Sequence, residues 1–339
     1  MNLYAHFPFC RRKCTYCALH SRAGSTAESR TEYAARLVKE LLDISGTYGI
    51  SGNLSTVYFG GGSPALCNLS PLFAALKPLL STSCEFTVEL HPLDVTRETL
   101  MALKAGGVNR ISMGVQSLDD GTLRHMGRGY NADEAERAFA LVKEHFDNAG
   151  IDLIVGYPGD PCDMRSMERL AGWGLRHCSV YSLILEDRSI LAKQAPKLKF
   201  PDDDEVLDKI KLVSRFLKSI GLDRYEISNY AVPGSECRHN LAVWRGEDYI
   251  GLGEGAHGRI GLARTESGKS ETVSPDADEK ERRLFRLRTK EGLDPSGHPE
   301  WLESLDAFAA EGLLSREGQI YRLTERGSEV CDSILAELV

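Results

Sequence analysis

The feature that most constrains the fold is an alternation. Short strand-like runs recur along the chain, each followed by an amphipathic helical run, the mark of repeated βα units around a parallel sheet. The strand-like runs cover residues 2–9, 55–59, 84–90, 110–115, 151–155 and 179–185. Helix starts can be read between them: Ser29 and Glu32 as a capping box ahead of Tyr33, Leu37 and Leu41, then Ser70 followed by Pro71, then Asn131 with Glu134. Gly46 and Gly106 stand where two of these helices should stop. Six units are too few to close an eight-stranded barrel. The expected class is therefore α/β, an open partial (β/α)6 barrel over residues 1–235, with its ligand site in the loops at the C-terminal ends of the strands.

Beyond about residue 235 the pattern changes. A glycine-rich run at 251–261 and a polar run at 265–278 predict an extension and linker over 236–278. Residues 279–288, 299–311 and 324–338 read as helices, with a strand-like pair around Leu314 and 320–323, giving a small C-terminal helical, winged-helix-like domain over 279–339. The 339 residues, 42% of them hydrophobic, suffice to fill both cores. No stretch approaches the about 18 to 20 apolar residues of a membrane span, and the N-terminus enters a cysteine motif without an apolar leader region, so a cytoplasmic location is expected. A formal charge of -8, from 41 Lys and Arg against 49 Asp and Glu, offers no basic patch for nucleic acid. A small or hydrophobic ligand is the expected partner.

Nine cysteines in a chain of this size, with no leader, read as reduced thiols or ligands rather than disulfides. Three are clustered: the first strand runs into Cys10-Arg-Arg-Lys-Cys14-Thr-Tyr-Cys17. Thiolates at C-x-x-x-C-x-x-C spacing can ligate three corners of a 4Fe-4S cubane, and no fourth cysteine stands nearby to close the last iron. The same loop permits another reading, a tetrahedral zinc held by Cys10, Cys14, Cys17 and His20. Cys67, Cys84, Cys162, Cys178 and Cys331 read as small buried residues.

After the second strand comes Tyr58-Phe59-Gly60-Gly61-Gly62-Ser63-Pro64, where successive glycines let the backbone approach a ligand; a flexible turn is the plainer reading. The third strand ends in Glu89, the fourth in Gln116, and the fifth begins with Asp152, three polar residues in apolar runs that need partners. Arg128, between two glycines, is placed to pair with a carboxylate. Tyr16 is either a core aromatic or a ligand contact.

The cysteine loop, at the end of the first strand of a βα array, resembles that of the radical-SAM superfamily. The segments YAHFPFCRRKCTYC, VYFGGGSP, FTVELHP, RISMGVQS, DLIVGYPGD, YEISNYAVPG, RHNLAVW and DYIGLGEGAH resemble, over nearly the whole chain, the coproporphyrinogen dehydrogenase family and its offshoot, the HemW-type heme chaperones. The resemblance implies cluster ligands Cys10, Cys14 and Cys17. It implies S-adenosylmethionine contacts at Tyr4, Tyr16, Gly61, Gly62, Ser63, Glu89, Gln116, Arg128 and Asp152, with the open iron chelating the cofactor and an electron from the cluster splitting its sulfonium.

Within the family it resembles, two features favour the chaperone branch. The dehydrogenases carry a further cysteine two residues after the third ligand, where this chain has Leu19, and they have a long N-terminal extension. The chaperones have a His-Asn-x-x-Tyr-Trp heme motif, against which stands His239-Asn240-Leu241-Ala242-Val243-Trp244, with Val243 at the tyrosine position. His239 is thereby implied as an axial heme ligand and Trp244 as a porphyrin contact; on bare residues, a histidine that hydrogen-bonds a turn explains as much. His257 is a second histidine without a motif behind it. The run from Gly251 to Gly255 resembles a dinucleotide fingerprint, but no helix follows it. The function expected is a radical-SAM-fold chaperone that binds heme and delivers it to client proteins. The alternative is an enzyme, either a coproporphyrinogen III oxidase-like decarboxylase or a HemW-like methyltransferase, drawing electrons from a donor such as flavodoxin or ferredoxin.

Overall fold

The computed structural model describes residues 1–339. Six strands follow the expected alternation: β1 (Asn2–Phe7), β2 (Leu54–Gly61), β3 (Leu80–Leu90), β4 (Arg110–Gln116), β5 (Asn148–Val155) and β6 (His177–Ser182). They pair in chain order and in parallel. The helices that return the chain are α1 (Ala27–Tyr48), α2 (Ser70–Leu76), α3 (Arg97–Ala105), α4 (Asp120–Met126), α5 (Ala132–His145), α6 (Met164–Ala171), α7 (Ile190–Gln194) and α8 (Asp203–Ser219).

Period-two alternation sorts each strand into two faces. Leu3, Ala5 and Phe7, Val57 and Phe59, Phe86 and Val88, and Ile111 and Met113 are buried in one core with Leu37, Leu41, Leu72, Leu100 and Phe139 of the helices. The intervening residues, Asn2, Tyr4 and His6, Thr56 and Tyr58, Glu85 and Glu89, Arg110 and Ser112, and Asp152, are polar, and Tyr4 bonds to His6, Asn2 to Thr56, Tyr58 to Glu89 and Ser112 to Asp152. The face of the sheet opposite this core is thus a polar surface able to hold a ligand, and α9 (Arg238–Trp244) covers part of it.

Capping follows the sequence in part. Asn131 and Glu134 form the expected capping box, and Gly106 caps α3. At α1 the cap is Thr26, three residues before Ser29, and the helix ends at Gly49 in the left-handed conformation rather than at Gly46. Helix α2 starts at Ser70 with Pro71 in its first turn.

The stretch expected to be a linker continues the sheet instead. The next strands are β7 (Asp223–Glu226), β8 (Asn229–Ala231), β9 (Tyr249–Leu252), β10 (His257–Ile260), β11 (Ala263–Glu266) and β12 (Lys269–Thr272). The order across the sheet is β12-β11-β10-β9-β1-β2-β3-β4-β5-β6-β8-β7. β9 adds a seventh parallel strand beside β1, and β10 to β12 follow as antiparallel hairpins. Its polar composition concealed them: β12 is exposed along its whole length, so no apolar alternation marks it.

Helix α9 (Arg238–Trp244) precedes β9, and α10 (Pro275–Arg286) opens the C-terminal module of α11 (Leu302–Ala310), the hairpin β13 (Leu314–Glu317) and β14 (Ile320–Leu323), α12 (Glu325–Glu329) and α13 (Cys331–Leu338). The module has its own small core around Leu287, Trp301, Leu305 and Tyr321. No helix is long and apolar enough to cross a membrane.

Candidate functional site

Strand β1 delivers the chain to the cysteine loop, and the loop returns alongside itself, Phe9–Cys10 pairing in parallel with Arg22–Ala23. Thr15 N donates to Met126 O (3.0 Å) at the end of α4, and Leu191 N donates to Thr15 O (2.7 Å). The loop is therefore clamped between the β4 and β6 units. Cys10, Cys14 and Cys17 are half-buried, free thiols. Burial raises the Cys10 pKa, and the neighbouring Cys17 and Cys14 raise it further.

No three Cys, His, Asp or Glu side chains are grouped to hold a single metal ion. Each thiolate of a cubane binds a different iron, so the cluster reading does not need them to converge; the zinc reading does. His20, the fourth zinc ligand in that reading, turns instead to Glu254 (Nε2 to Oε2, 3.3 Å). Glu254 also takes Arg36 at 2.5 Å and Arg22 at 3.0 Å, which offset its burial and bring its carboxyl down to about 2.

The glycine loop is built against the cysteine loop. Gly62 N donates to Phe7 O and Ser63 N to Phe9 O, both at 2.7 Å. A Cβ on Gly62 would stand 2.5 Å from Phe9 O and 3.0 Å from Cys10 Sγ, and one on Gly61, at φ +99, would stand 2.4 Å from the His6 ring. Glycine is required at both positions by close approach. The buried Ser63 hydroxyl donates to Asp94, whose other carboxylate oxygen takes Arg11 of the cysteine loop.

Glu89 sits beside this cradle, accepting from Tyr58 OH (2.9 Å) and from Gly61 N (3.0 Å). Burial and the Asp152 charge push its carboxyl up to about 7. Burial likewise raises Asp152, against hydrogen bonds from Ser179 and from Ser112 Oγ (2.9 Å). Gln116 ends β4 in the left-handed region at φ 71, where the register shifts, and its amide lies against Gly114.

Arg128, 7% exposed, meets no protein carboxylate. It donates to Gly114 O (2.6 Å), Tyr130 OH (2.8 Å), Cys14 Sγ (3.3 Å) and Tyr16 OH (3.4 Å). Tyr16 packs against the small cluster of Met126, Tyr157 and Leu191, as its core reading expects, and its hydroxyl lies 3.4 Å from Arg128 Nη1.

The structure thus gathers Cys10, Cys14, Cys17, Gly61, Gly62, Ser63, Glu89, Gln116, Arg128 and Asp152 at the C-terminal ends of β1 to β5. Tyr4 lies deeper along β1. His6 Nε2 donates to His20 O (2.7 Å), which leaves His6 Nδ1 to accept from Tyr4 OH (2.9 Å). His239 is not part of this group. It lies near the start of β2, 5% exposed, beside the rings of Tyr58 and Tyr4 at 5.2 and 6.4 Å.

Sequence reasoning missed Asp94, Arg11, His6 and Arg110. Arg110 is 1% exposed among Glu85, Cys237 and Tyr225. Its position at the head of a strand reads as a start signal, not as an inward charge.

Residues 4–170 match the family described as the Radical SAM superfamily. A heme chaperone HemW of Mycobacterium tuberculosis is 31% identical over 372 aligned residues, covering 100% of this chain and 94% of that protein. The Bacillus subtilis heme chaperone HemW is 34% identical, covering 78% of this chain and 72% of the relative, and that of Escherichia coli is 32% identical, covering 77% and 70%. Among solved structures, the coproporphyrinogen III oxidase HemN of Escherichia coli, a radical SAM enzyme, superposes with a TM-score of 0.84 at 21% identity, covering 99% of this chain and 89% of that one.

Proposed function

This chain belongs to the radical-SAM superfamily and, within it, to the HemW heme chaperones, and from that premise we propose that it holds a 4Fe-4S cluster, S-adenosylmethionine and heme and passes the heme to client proteins. The observation that carries the reading is the union of an intact three-cysteine loop with a glycine cradle bonded to it, in a chain related over its whole length to heme chaperones. The residues fit the groups. Three thiols without a fourth leave one iron for another ligand, and the glycines at 61 and 62 bring the cradle backbone up against the His6 ring and the Cys10 sulfur, where any side chain would hold it off. The cluster, when bound, supplies an electron, and S-adenosylmethionine a sulfonium that the electron can cleave. The protein's part is positional: Glu89 and the cradle backbone receive an ammonium, Arg128 holds charge beside Cys14, and Asp152 offers a buried carboxylate.

His239 is proposed as the heme ligand, and its hydrogen bonds support the choice of nitrogen. Asn2 Nδ2 donates to Glu247 and to Asp248 O, which orients Asn2 Oδ1 to accept from Thr56 Oγ1 (2.9 Å). With its proton spent there, Thr56 Oγ1 accepts from His239 Nδ1 (2.8 Å). Nε2 is left with a lone pair and no hydrogen bond, the arrangement a metal-bound imidazole needs. Burial and the charge of Arg110 lower the ring's pKa to about 3, so it is neutral at physiological pH. Because the ring is 5% exposed, coordination requires α9 to lift from the sheet.

Anaerobic cluster reconstitution followed by heme titration tests the reading. A specific one-to-one Soret change in the wild type, weakened in His239→Ala, is expected; no specific complex overturns the chaperone reading. Release of 5'-deoxyadenosine with reductant, above a Cys14→Ala background, is what a porphyrinogen-oxidising or methyl-transferring enzyme requires.

A further inference from the structure

Between α8, β7 and the C-terminal module lies a cleft of about 500 Å³, none of whose lining residues belongs to the cysteine loop or the glycine cradle, with Tyr225 and Tyr230 in its wall. That volume is within the range of small-molecule sites, roughly 300 to 1,000 Å³. Seven of its lining residues are lysine or arginine and four are aspartate or glutamate, a surplus of three positive charges in a chain whose net charge is -8. Its walls also carry apolar side chains, among them Ile210, Leu222 and Leu287.

Four of the cations have no carboxylate partner. Arg215 and Lys218, three positions apart on α8, and Lys290 are exposed and make no ion pair. Arg224, half-buried in the cleft wall, donates only to hydroxyls: Tyr230 OH at 2.9 and 2.6 Å, and Ser328 Oγ. A guanidinium fixed on neutral acceptors is oriented and uncompensated, the state that suits bidentate capture of a carboxylate. The cleft adjoins α9 as well, since Arg288, another of its residues, lies over the Trp244 ring at 4.9 Å.

We infer that this cleft is a binding site for an amphipathic polycarboxylate, with Arg224, Lys218, Arg215 and Lys290 receiving the carboxylates and the apolar wall receiving the hydrocarbon. Resting on the chaperone reading, that ligand is the carboxylate-bearing edge of a tetrapyrrole. The apolar and cationic surfaces occur together, which a site for a bare inorganic anion does not need.

The test uses the full chain and a metal-free dicarboxylic porphyrin, mesoporphyrin, whose binding owes nothing to iron ligation. Fluorescence titration should show saturable binding that weakens at least tenfold for the dimethyl ester. It should also weaken at least fivefold in Arg224→Ala and in the surface double variant Lys218→Glu/Lys290→Glu, and stay unchanged in His239→Ala. Far-UV circular dichroism of the double variant, whose residues are exposed, confirms that loss is not unfolding. Equal binding of acid and ester, or wild-type binding by both cleft variants, overturns the inference. So does displacement of the porphyrin by inorganic phosphate at equal affinity, which marks a phosphate site. Heme binding that depends on His239 without any mesoporphyrin binding removes the cleft and leaves the chaperone reading; mesoporphyrin binding with no heme complex at His239 does the reverse.

Discussion

Gly62 shows how little tolerance the cofactor end has. A Cβ there meets two backbone carbonyls, neither the movable end of a side chain, so Gly62→Ala must push the cradle away from the cysteine loop. We expect iron and sulfide content after reconstitution to fall and S-adenosylmethionine affinity to drop by roughly tenfold or more, as close-packed sites resist even one added carbon. Glu89 makes a prediction with a sign. Its carboxyl titrates near 7 in the fold, against 4.5 for the free side chain, because burial and Asp152 disfavour its charge. The folded chain therefore keeps a proton that the unfolded chain releases, so this group's contribution to stability declines as pH rises from about 4.5 to about 7. Ligand binding runs the other way: an ionised Glu89 attracts an ammonium and a protonated one does not. Affinity for S-adenosylmethionine, followed by isothermal titration, should rise between pH 6 and 7.5, and Glu89→Gln should flatten both slopes. Glu89 was legible in the sequence as a polar residue ending an apolar strand. Asp94 was not, because its role depends on Arg11 and Ser63 arriving from two other loops.

Helix α10 is pinned chiefly by two carboxylates, Asp278 and Glu281. Asp278, whose side chain is 12% exposed, takes Arg259 at 2.5 Å, Arg264 at 2.7 Å and Arg282 at 2.8 Å, joining the helix to the β10 and β11 hairpin. Burial would raise its carboxyl, but Arg264, Arg282 and Arg259 together hold it well below the usual carboxylate range. Asp278→Ala leaves a nearly buried Arg259 with Glu281 at 3.5 Å as its remaining carboxylate and should cost about 1.5 to 3 kcal/mol in urea unfolding, the cost of removing a charged hydrogen-bond partner from a buried group. Helix α9 gives an acid-side prediction. A His239 ring held neutral down to about 3 contributes stability that is present above pH 6.5 and is lost as pH falls from 6.5 toward 3, with a limiting slope of about 1.4 kcal/mol per pH unit. His239→Asn should remove this residue's share of the acid-side slope and leave the shares of His177 and His91, which burial also holds neutral. The six βα units were readable because each strand buries an apolar row against a helix that carries its own stripe. The hairpins of residues 257–272 were not readable, since they meet no helix along an apolar row and hold their register by backbone bonds and arginine pairs. The cap of α1 was misplaced for a related reason: Thr26 and Ser29 are both capping residues, and Thr26 Oγ1 accepts the amide of Ser29 itself.

The whole molecule joins two cores of unequal size, one of 49 buried residues under the sheet and one of nine in the C-terminal module. A nine-residue core gives little stability of its own, so the module depends on its seam with the sheet. That seam is mostly polar: besides the Asp278 pairs with Arg259 and Arg264, Lys290 N donates to Tyr225 O (3.1 Å), Lys211 pairs with Glu329 at 3.1 Å, Arg245 pairs with Glu291, and Arg224 reaches Ser328. Its apolar part is the edge contact of Trp244 with Phe285, centroids 5.8 Å apart, and this contact also holds the end of α9. Opening of the module and lifting of α9 are expected to be coupled, because both break the same ring contact. Hydrogen exchange should show amides of α11 to α13 and of α9 exchanging at similar rates, well ahead of β1 to β5, whose opening would expose the large core. Phe285→Ala, which removes the shared ring without touching His239 or the cleft cations, should speed exchange in α9 as well as in the module and raise the rate of heme association. Faster exchange in the module with α9 unchanged would separate the two motions, and heme access would then have to come from within the sheet.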